Sequence, residues 1–306
     1  MKKGSVLLFF FLGFLVHAQE NTKFDRQEIA RIETELASDK MEGRAIFTNG
    51  IDSASVFIER EFKKCGLSYF NDLKTFRQEF VTKGNAANNI IGILPGKSKP
   101  EEYVIFSAHY DHLGIVEKGE DKIYNGANDD ASGTTAVIVL AKYFKELNQN
   151  ERTIVFVAFT GEEVGGYGSK FFSKNIDYKK VVAMFNIEMI GTESKWGKNS
   201  AYITGFEKSD FGTILQKNLQ KSIFTFNPDP YPKEQLFYRS DNARLAALGV
   251  PAHTISTSKM DSEPNYHKLT DEVSTLDLDN MTEIIKSIAI SSQSIINGED
   301  TPTRVK

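Results

Sequence analysis

An α/β fold, in which helices cover both faces of a sheet, is predicted by the order in which apolar segments recur along this chain. Short apolar runs of strand length alternate with longer runs of helical period. Acidic or imidazole side chains follow several of the apolar runs directly. In an open α/β sheet, residues just past the carboxyl ends of the strands gather on one rim, where ligands bind. No linker, repeat or low-complexity tract follows Phe24, so a single domain is expected within the 306 residues.

The elements follow in order. Residues 26–38 and 51–65 have helical spacing, the second opened by Asp52 and closed by Gly66. Strands are expected over 73–80, which alternates, and 88–94, which is mostly apolar. Residues 103–108 form a short apolar strand, and 134–147 a helix with Val137, Leu140, Ala141 and Phe144 on one face. Further strands are expected over 153–159, 181–187, 201–204 and 251–255. Helices are expected over 167–174, 208–222, 240–248 and 278–296. The order is expected to span about 24–298, with a frayed polar tail from Glu299.

The amino terminus reads as a leader. Lys2 and Lys3 precede an apolar run over 6–16, and Val16-His17-Ala18 has the small residues a signal peptidase reads. Residues 1–18 are thus expected to be removed, leaving 19–306 as the mature domain. The run is shorter than the roughly 20 residues that cross about 30 Å of hydrocarbon. An exported protein is expected, periplasmic or extracellular, with no stable membrane anchor after cleavage. The 37 basic and 41 acidic residues give a net charge of -4. That balance lacks the basic excess of a nucleic-acid binder. The single cysteine, Cys65, excludes an internal disulfide and a thiolate metal site. Any metal would be held by histidine and carboxylate.

Five segments carry that chemistry. In Ser107-Ala108-His109-Tyr110-Asp111-His112, His109 ends a strand and Asp111 can orient its ring. His112 competes as ligand, but its odd offset turns it away from His109 in an extended segment. Asn125 to Gly133 holds Asp129 and Asp130 before a helix; capping explains acids there, but not a glycine-flanked loop of this length. In Gly161-Glu162-Glu163-Val164-Gly165, adjacent carboxylates would repel without a cation, and one can bind metal while its neighbour takes a proton. Glu188 lies among mostly apolar neighbours, where an unpaired carboxylate is costly. His267 sits in a polar loop. Five histidines less His17 of the leader leave four, of which two fall at ligand positions. Imidazoles with carboxylates suit zinc better than magnesium or calcium. Five ligands, one of them bridging, would hold two ions about 3.5–4 Å apart.

These motifs, in this order, together with Ser38-Asp39-Lys40-Met41-Glu42-Gly43-Arg44, resemble the secreted bacterial leucyl-type di-zinc aminopeptidases, relatives of aminopeptidase Y and glutamate carboxypeptidase. The resemblance runs from about residue 36 to 296. It implies a mixed, mainly parallel sheet between helices, a zinc-exopeptidase-like fold. It implies two Zn2+ per chain, His109 and Glu188 on one, Glu163 and His267 on the other, with Asp129 bridging. Glu162 would be the general base toward a water between the ions, and Asp111 the residue orienting His109. The implied substrates are peptides with a free N-terminus, and Tyr238, Asp241 and Tyr266 would line their pocket. Glu188 stands where the family usually has Asp, and Asn242 where it has His. Glutaminyl-peptide cyclotransferase and carboxypeptidase or dipeptidase chemistry belong to the same fold. Cyclase pockets are rich in Trp, whereas this chain has only Trp196. A non-catalytic metal-binding module is disfavoured, because every catalytic role is filled by a competent group.

Overall fold

Among the described residues nine strands form one sheet, and the alternation of their side chains explains why the central ones are apolar throughout. The structure, a computed structural model, describes residues 24–306. The expected leader lies outside the described residues. The strands are β1 (Ser68–Tyr69), β2 (Arg77–Thr82), β3 (Asn85–Leu94), β4 (Lys99–His109), β7 (Arg152–Phe159), β8 (Val181–Ile187), β9 (Ser200–Ile203), β10 (Thr225–Pro228) and β11 (Ala252–Ser256). A separate hairpin pairs β5 (Gly114–Ile115) with β6 (Ile123–Tyr124). The main sheet runs β1-β3-β7-β4-β8-β11-β9-β10, with β2 also paired to β3. Its centre, β7-β4-β8-β11, is parallel, while β3 against β7 and β9 against β11 are antiparallel. This is the mixed, mainly parallel sheet expected.

The helices are α1 (Arg26–Leu36), α2 (Asn49–Lys64), α3 (Ser132–Leu147), α4 (Tyr167–Asn175), α5 (Phe211–Asn218), α6 (Asn242–Ala246), α7 (Leu278–Ser291) and α8 (Gln293–Ile296). Val104, Phe106, Ala108, Ile154, Phe156 and Ala158 point into one core, shared with α1, α2, α3 and α7. Ile105, Val155, Val157 and Phe159 point into the other, under α4 and α6. A strand buried on both faces needs an apolar side chain at every position.

Most expected elements lie within a few residues of their places. Helix α2 begins earlier than expected, because the Thr48 hydroxyl, not Asp52, caps it by accepting from the Ile51 amide. Gly66 ends it at φ 71°. The alternating segment expected over 73–80 pairs only from Arg77 onward, and the helix expected over 278–296 breaks at Ser292. The short β1, β5, β6 and β10 had no sequence signal of their own. The segment after Glu299, expected to fray, is pinned. Buried Arg152 donates to Asp300 O (2.7 Å) and Thr301 Oγ1 (2.6 Å), and Val305 N donates to Gly249 O (3.0 Å). Cys65 is partly buried against the first core, and burial pushes its thiol up to about 11, which makes it a packing residue. No helix of the described residues is long and apolar enough to cross a membrane.

One histidine outside the rim reports on stability. His253 Nδ1 donates to Thr204 O (2.9 Å), leaving Nε2 to accept from the Ser209 hydroxyl (2.7 Å), so the ring is neutral. Burial lowers its pKa to about 4. The unfolded chain binds this proton first, so stability is complete above about pH 6.5 and is lost as pH falls toward 4. Denaturant unfolding at pH 7.5 and 4.5 is expected to show wild type losing about 2–3 kcal/mol more than His253→Asn over that interval. Equal acid sensitivity of the two proteins would contradict the assignment.

Candidate metal centre

Parallel register delivers the acids and imidazoles to one rim. His109 ends β4 level with Phe159 of β7, and Ser107 lies level with Asn186 of β8. The turn bearing Glu162 and Glu163 follows β7, and Glu188 follows β8, its amide bonded to Ile255 O (3.1 Å) of β11. Asp129 comes from the loop between β6 and α3. His267 comes from the loop before α7, in a left-handed conformation at φ 56°.

Carboxylates outside the centre hold these loops. Asp111 accepts from the amides of Glu162 (3.1 Å) and Glu163 (3.3 Å), which fixes the turn. Its main-chain oxygen, rather than its carboxylate, meets His109 Nδ1 (3.1 Å); the carboxylate stays 3.8 Å away. Asp130 accepts from the amides of His109 (3.3 Å), Gly133 (3.1 Å) and Met189 (3.0 Å), joining three segments. Asp271 accepts from Asn128 N (2.8 Å) and Asp129 N (3.0 Å). The Asp129–Asp130 peptide is cis. Gly126 has φ 56°, and a Cβ there would stand 2.4 Å from Asp129 O and 2.5 Å from the His112 ring. Only glycine lets the loop pass so close to that imidazole.

At the centre, the two oxygens of Asp129 face different histidines. Oδ1 lies 3.3 Å from His109 Nε2, and Oδ2 lies 3.2 Å from His267 Nε2. Glu163 is divided likewise, with Oε2 3.0 Å from His267 Nε2 and Oε1 2.8 Å from His112 Nδ1. Ligand atoms of His112, Asp129 and Glu163 all lie within 4.8 Å of one another. Asp129, Glu162, Glu163, Glu188 and His267 line one cavity of about 80 Å³. Tyr266 lines it too, its ring stacked 3.9 Å from that of His267. Asp241 is buried behind the wall with neither oxygen hydrogen-bonded. Tyr238 turns outward at 62% exposure, against Phe237.

The electrostatics show what the cluster lacks. Burial opposes the charge of Asp129, yet contacts from His109 and His267 hold its carboxyl well below the usual range. Asp129 and Glu163 in turn push His267 up to about 10. Burial pushes Glu188 up to about 7 and Asp111 to about 6. It also pushes Glu162 well above an ordinary carboxyl, with the charges of Glu188 and Asp241 adding to the effect. No lysine or arginine forms a salt bridge with Asp129, Glu162, Glu163, Glu188 or Asp241 among the described residues. His109 Nε2 and Glu188 Oε2 are buried without a hydrogen bond. His109 Nε2 nonetheless lies 3.3 Å from Asp129 Oδ1, close enough for the two charges to attract. Two ligands about 2.0–2.1 Å from one tetrahedral zinc lie about 3.3 Å apart, the separation these pairs show. The donors fit zinc: the ligand atoms of His112, Asp129 and Glu163 converge among the described residues, with His109 and His267 each within 3.3 Å of Asp129.

His112, Asp130 and Asp271 are the residues that the sequence left without a role. Strand β4 ends at His109, so the odd offset that would turn His112 away no longer applies. The backbone bonds of Asp130 and Asp271 leave no sequence signature beyond their presence in the quoted segments.

Fold and rim together define a protein that gathers transition-metal ligands at the carboxyl end of an α/β sheet. Residues 89–291 match the model of Peptidase family M28, and the chain belongs to that family. It is 31% identical over 247 residues to a probable leucine aminopeptidase of Trichophyton verrucosum, covering 78% of this chain and 64% of that one. It is also 33% identical over 118 residues to an aminopeptidase of Bacillus subtilis, covering 37% and 24%. The chain spans about two thirds or less of these relatives' lengths. In fold it is similar to a zinc aminopeptidase from Bacillus subtilis, with TM-score 0.72, 14% identity, and 91% and 97% of the chains covered. A Porphyromonas gingivalis glutaminyl cyclase is similar in fold as well, with TM-score 0.69, 15% identity, and 89% and 99% covered.

Removing the Asp271 carboxylate orphans two buried amides beside Asp129. Asp271→Ala is expected to cost about 2–4 kcal/mol in urea unfolding. Because the ligand loop loosens, zinc affinity by chelator competition should fall about 10- to 100-fold. Unchanged affinity would show that the Asp129 loop holds its shape alone.

Proposed function

We propose that this chain is an exported aminopeptidase that uses two zinc ions to remove N-terminal residues from peptides. The observation that carries the reading is the division of Asp129, whose two oxygens face His109 and His267 separately. A carboxylate so placed suits a bridge between two cations, one held also by His109 and Glu188 and the other by His267 and Glu163, which lie 3.0 Å apart. Bound there, zinc supplies Lewis-acid polarisation of the scissile carbonyl and makes water a nucleophile at neutral pH.

Glu162 has no side-chain hydrogen bond among the described residues, yet it lines the same cavity as the ligands. It is the group free to accept a proton from the attacking water. As the water oxygen bonds to the carbonyl carbon and the C–N bond breaks, Glu162 delivers that proton to the leaving amine. Asp111 contributes by position, since it holds the amides of Glu162 and Glu163. Membership of Peptidase family M28 supports peptides as substrates, and the leader-like residues 1–18 support export, with Gln19 as the first mature residue.

Glu162→Gln is expected to lower kcat on aminoacyl-anilides by at least about 10²- to 10⁴-fold while keeping its zinc. His267→Ala should instead lose metal, read as zinc per chain by elemental analysis. Near-normal turnover in Glu162→Gln, or two zinc ions in His267→Ala, would overturn these roles. Mass spectrometry of the secreted protein is expected to show Gln19 at the amino terminus, and an intact Met1 would refute cleavage.

A further inference from the structure

The cavity has a second wall, and its chemistry differs from that of the metal wall. The residues lining it include Thr204, Ser256, Ser258 and Arg239, with Leu236 and Met260 among the apolar ones. The three hydroxyls are buried, at 1–5% exposure. Two of their oxygens are already engaged as acceptors. Thr204 Oγ1 accepts from Thr254 N (3.2 Å), and Ser256 Oγ accepts from Ser258 N (3.2 Å).

Their protons are poorly placed by comparison. The Ser256 hydroxyl reaches Met189 O only at 3.4 Å, and the Ser258 hydroxyl has only the Met260 thioether, also at 3.4 Å. The Thr204 hydroxyl proton has no acceptor among the described residues. Arg239 has a single long contact, Nη1 to Glu234 at 3.4 Å, and its side chain is 45% exposed. What this wall has left to offer is donation.

From this we propose that the pocket recognises a carboxylate carried by the substrate, which Arg239 and the hydroxyls of Thr204, Ser256 and Ser258 bind. The inference rests on the peptidase reading of the metal wall and specifies its substrate class. The acids lining the cavity belong to the metal centre and to Glu162, so beyond the long Arg239–Glu234 contact the donor wall has no internal anion to satisfy it. A guanidinium matches a carboxylate in two parallel bonds. A leucine side chain would offer these donors no acceptor, and sites built to hydrogen-bond a substrate discriminate strongly against analogues that cannot. Two sources can supply the group: an Asp or Glu side chain on the N-terminal residue, or the carboxyl terminus of a dipeptide.

The test uses the zinc-loaded mature protein, wild type and Arg239→Met, with thermal unfolding to confirm that the variant is folded. The exposure of Arg239 makes a folding failure an unexpected result, and Arg239→Lys serves as the conservative check. Four substrates are compared by kcat/KM: Glu-anilide, Leu-anilide, Leu-Gly and Leu-Gly-amide. A side-chain carboxylate predicts Glu-anilide over Leu-anilide by at least about tenfold, a ratio that falls about 10- to 100-fold in Arg239→Met. A terminal carboxylate predicts the same pattern for Leu-Gly over its amide. Leu-anilide cleaved best, with neither ratio changed in Arg239→Met, would overturn the proposal and leave the aminopeptidase reading intact. Failure to cleave any substrate would instead sink that reading. Calorimetric binding of glutamate against leucinamide then decides the pocket, since leucinamide carries no carboxylate and equal or absent binding of both refutes the proposal.

Discussion

Seven carboxylates crowd the rim of this sheet, and the structure is organised around that concentration of buried negative charge. Asp111, Asp129, Asp130, Glu162, Glu163, Glu188 and Asp241 are all largely withdrawn from water. An unpaired buried carboxylate costs several kcal/mol. Histidine protons meet part of the demand, at His109 and His267. A pair of divalent cations would meet it more fully, and would relieve the same imidazoles of their protons.

Among these acids and the neighbouring Asp271, two groups differ in the donors they meet. Asp111, Asp130 and Asp271 accept main-chain amides and spend their charge on shaping loops. Asp129, Glu163 and Glu188 direct their carboxylates to imidazoles or to nothing, which leaves them free for the ligand roles proposed. The scaffold thus uses anions to position anions. Arg44 does the complementary work. Fully buried, it donates to Leu36 O (2.7 Å), Tyr110 O (2.9 Å), Asn125 O (2.6 Å) and Gly126 O (2.8 Å). It ties the segment after α1 to the loops that carry Asp111 and Asp129. Arg44 reaches carbonyls rather than a carboxylate, so it adds rigidity without neutralising the centre.

The two walls of the cavity also reflect their origins. The metal wall is built at the ends of β4, β7 and β8, where parallel neighbours bring acids together. The donor wall comes from Thr204, just past β9, and from the end of β11, where Ser256 and Ser258 stand. There the main chain has used the hydroxyl oxygens and left their protons. Strands β9 and β11 meet antiparallel over their last residues, Ile203 level with Ile255, so both carboxyl ends face one pocket.

Local chemistry carried much of this protein in readable form. Apolar runs such as 153–159 announced strands buried on both faces, because a covered sheet tolerates no polar position there. His109, Asp129, Glu162, Glu163 and Glu188 stood out because each follows such a run or opens a helix, where a buried charge requires a purpose. His112 was misjudged, since alternation holds only while the strand continues and β4 ends three residues earlier. The tail after Glu299 is polar and looked free, but buried Arg152, 148 positions away, claims its carbonyl at Asp300. Asp271 and Asp130 act on amides that are distant in sequence or shared between segments, and no spacing rule encodes such a bond. Sequence by itself determined which residues had to be buried and which chemistry they could perform, because hydrophobic period and charge cost are local. Tertiary structure alone decided which oxygen of Asp129 meets which histidine, because that depends on the register of strands far apart in the chain.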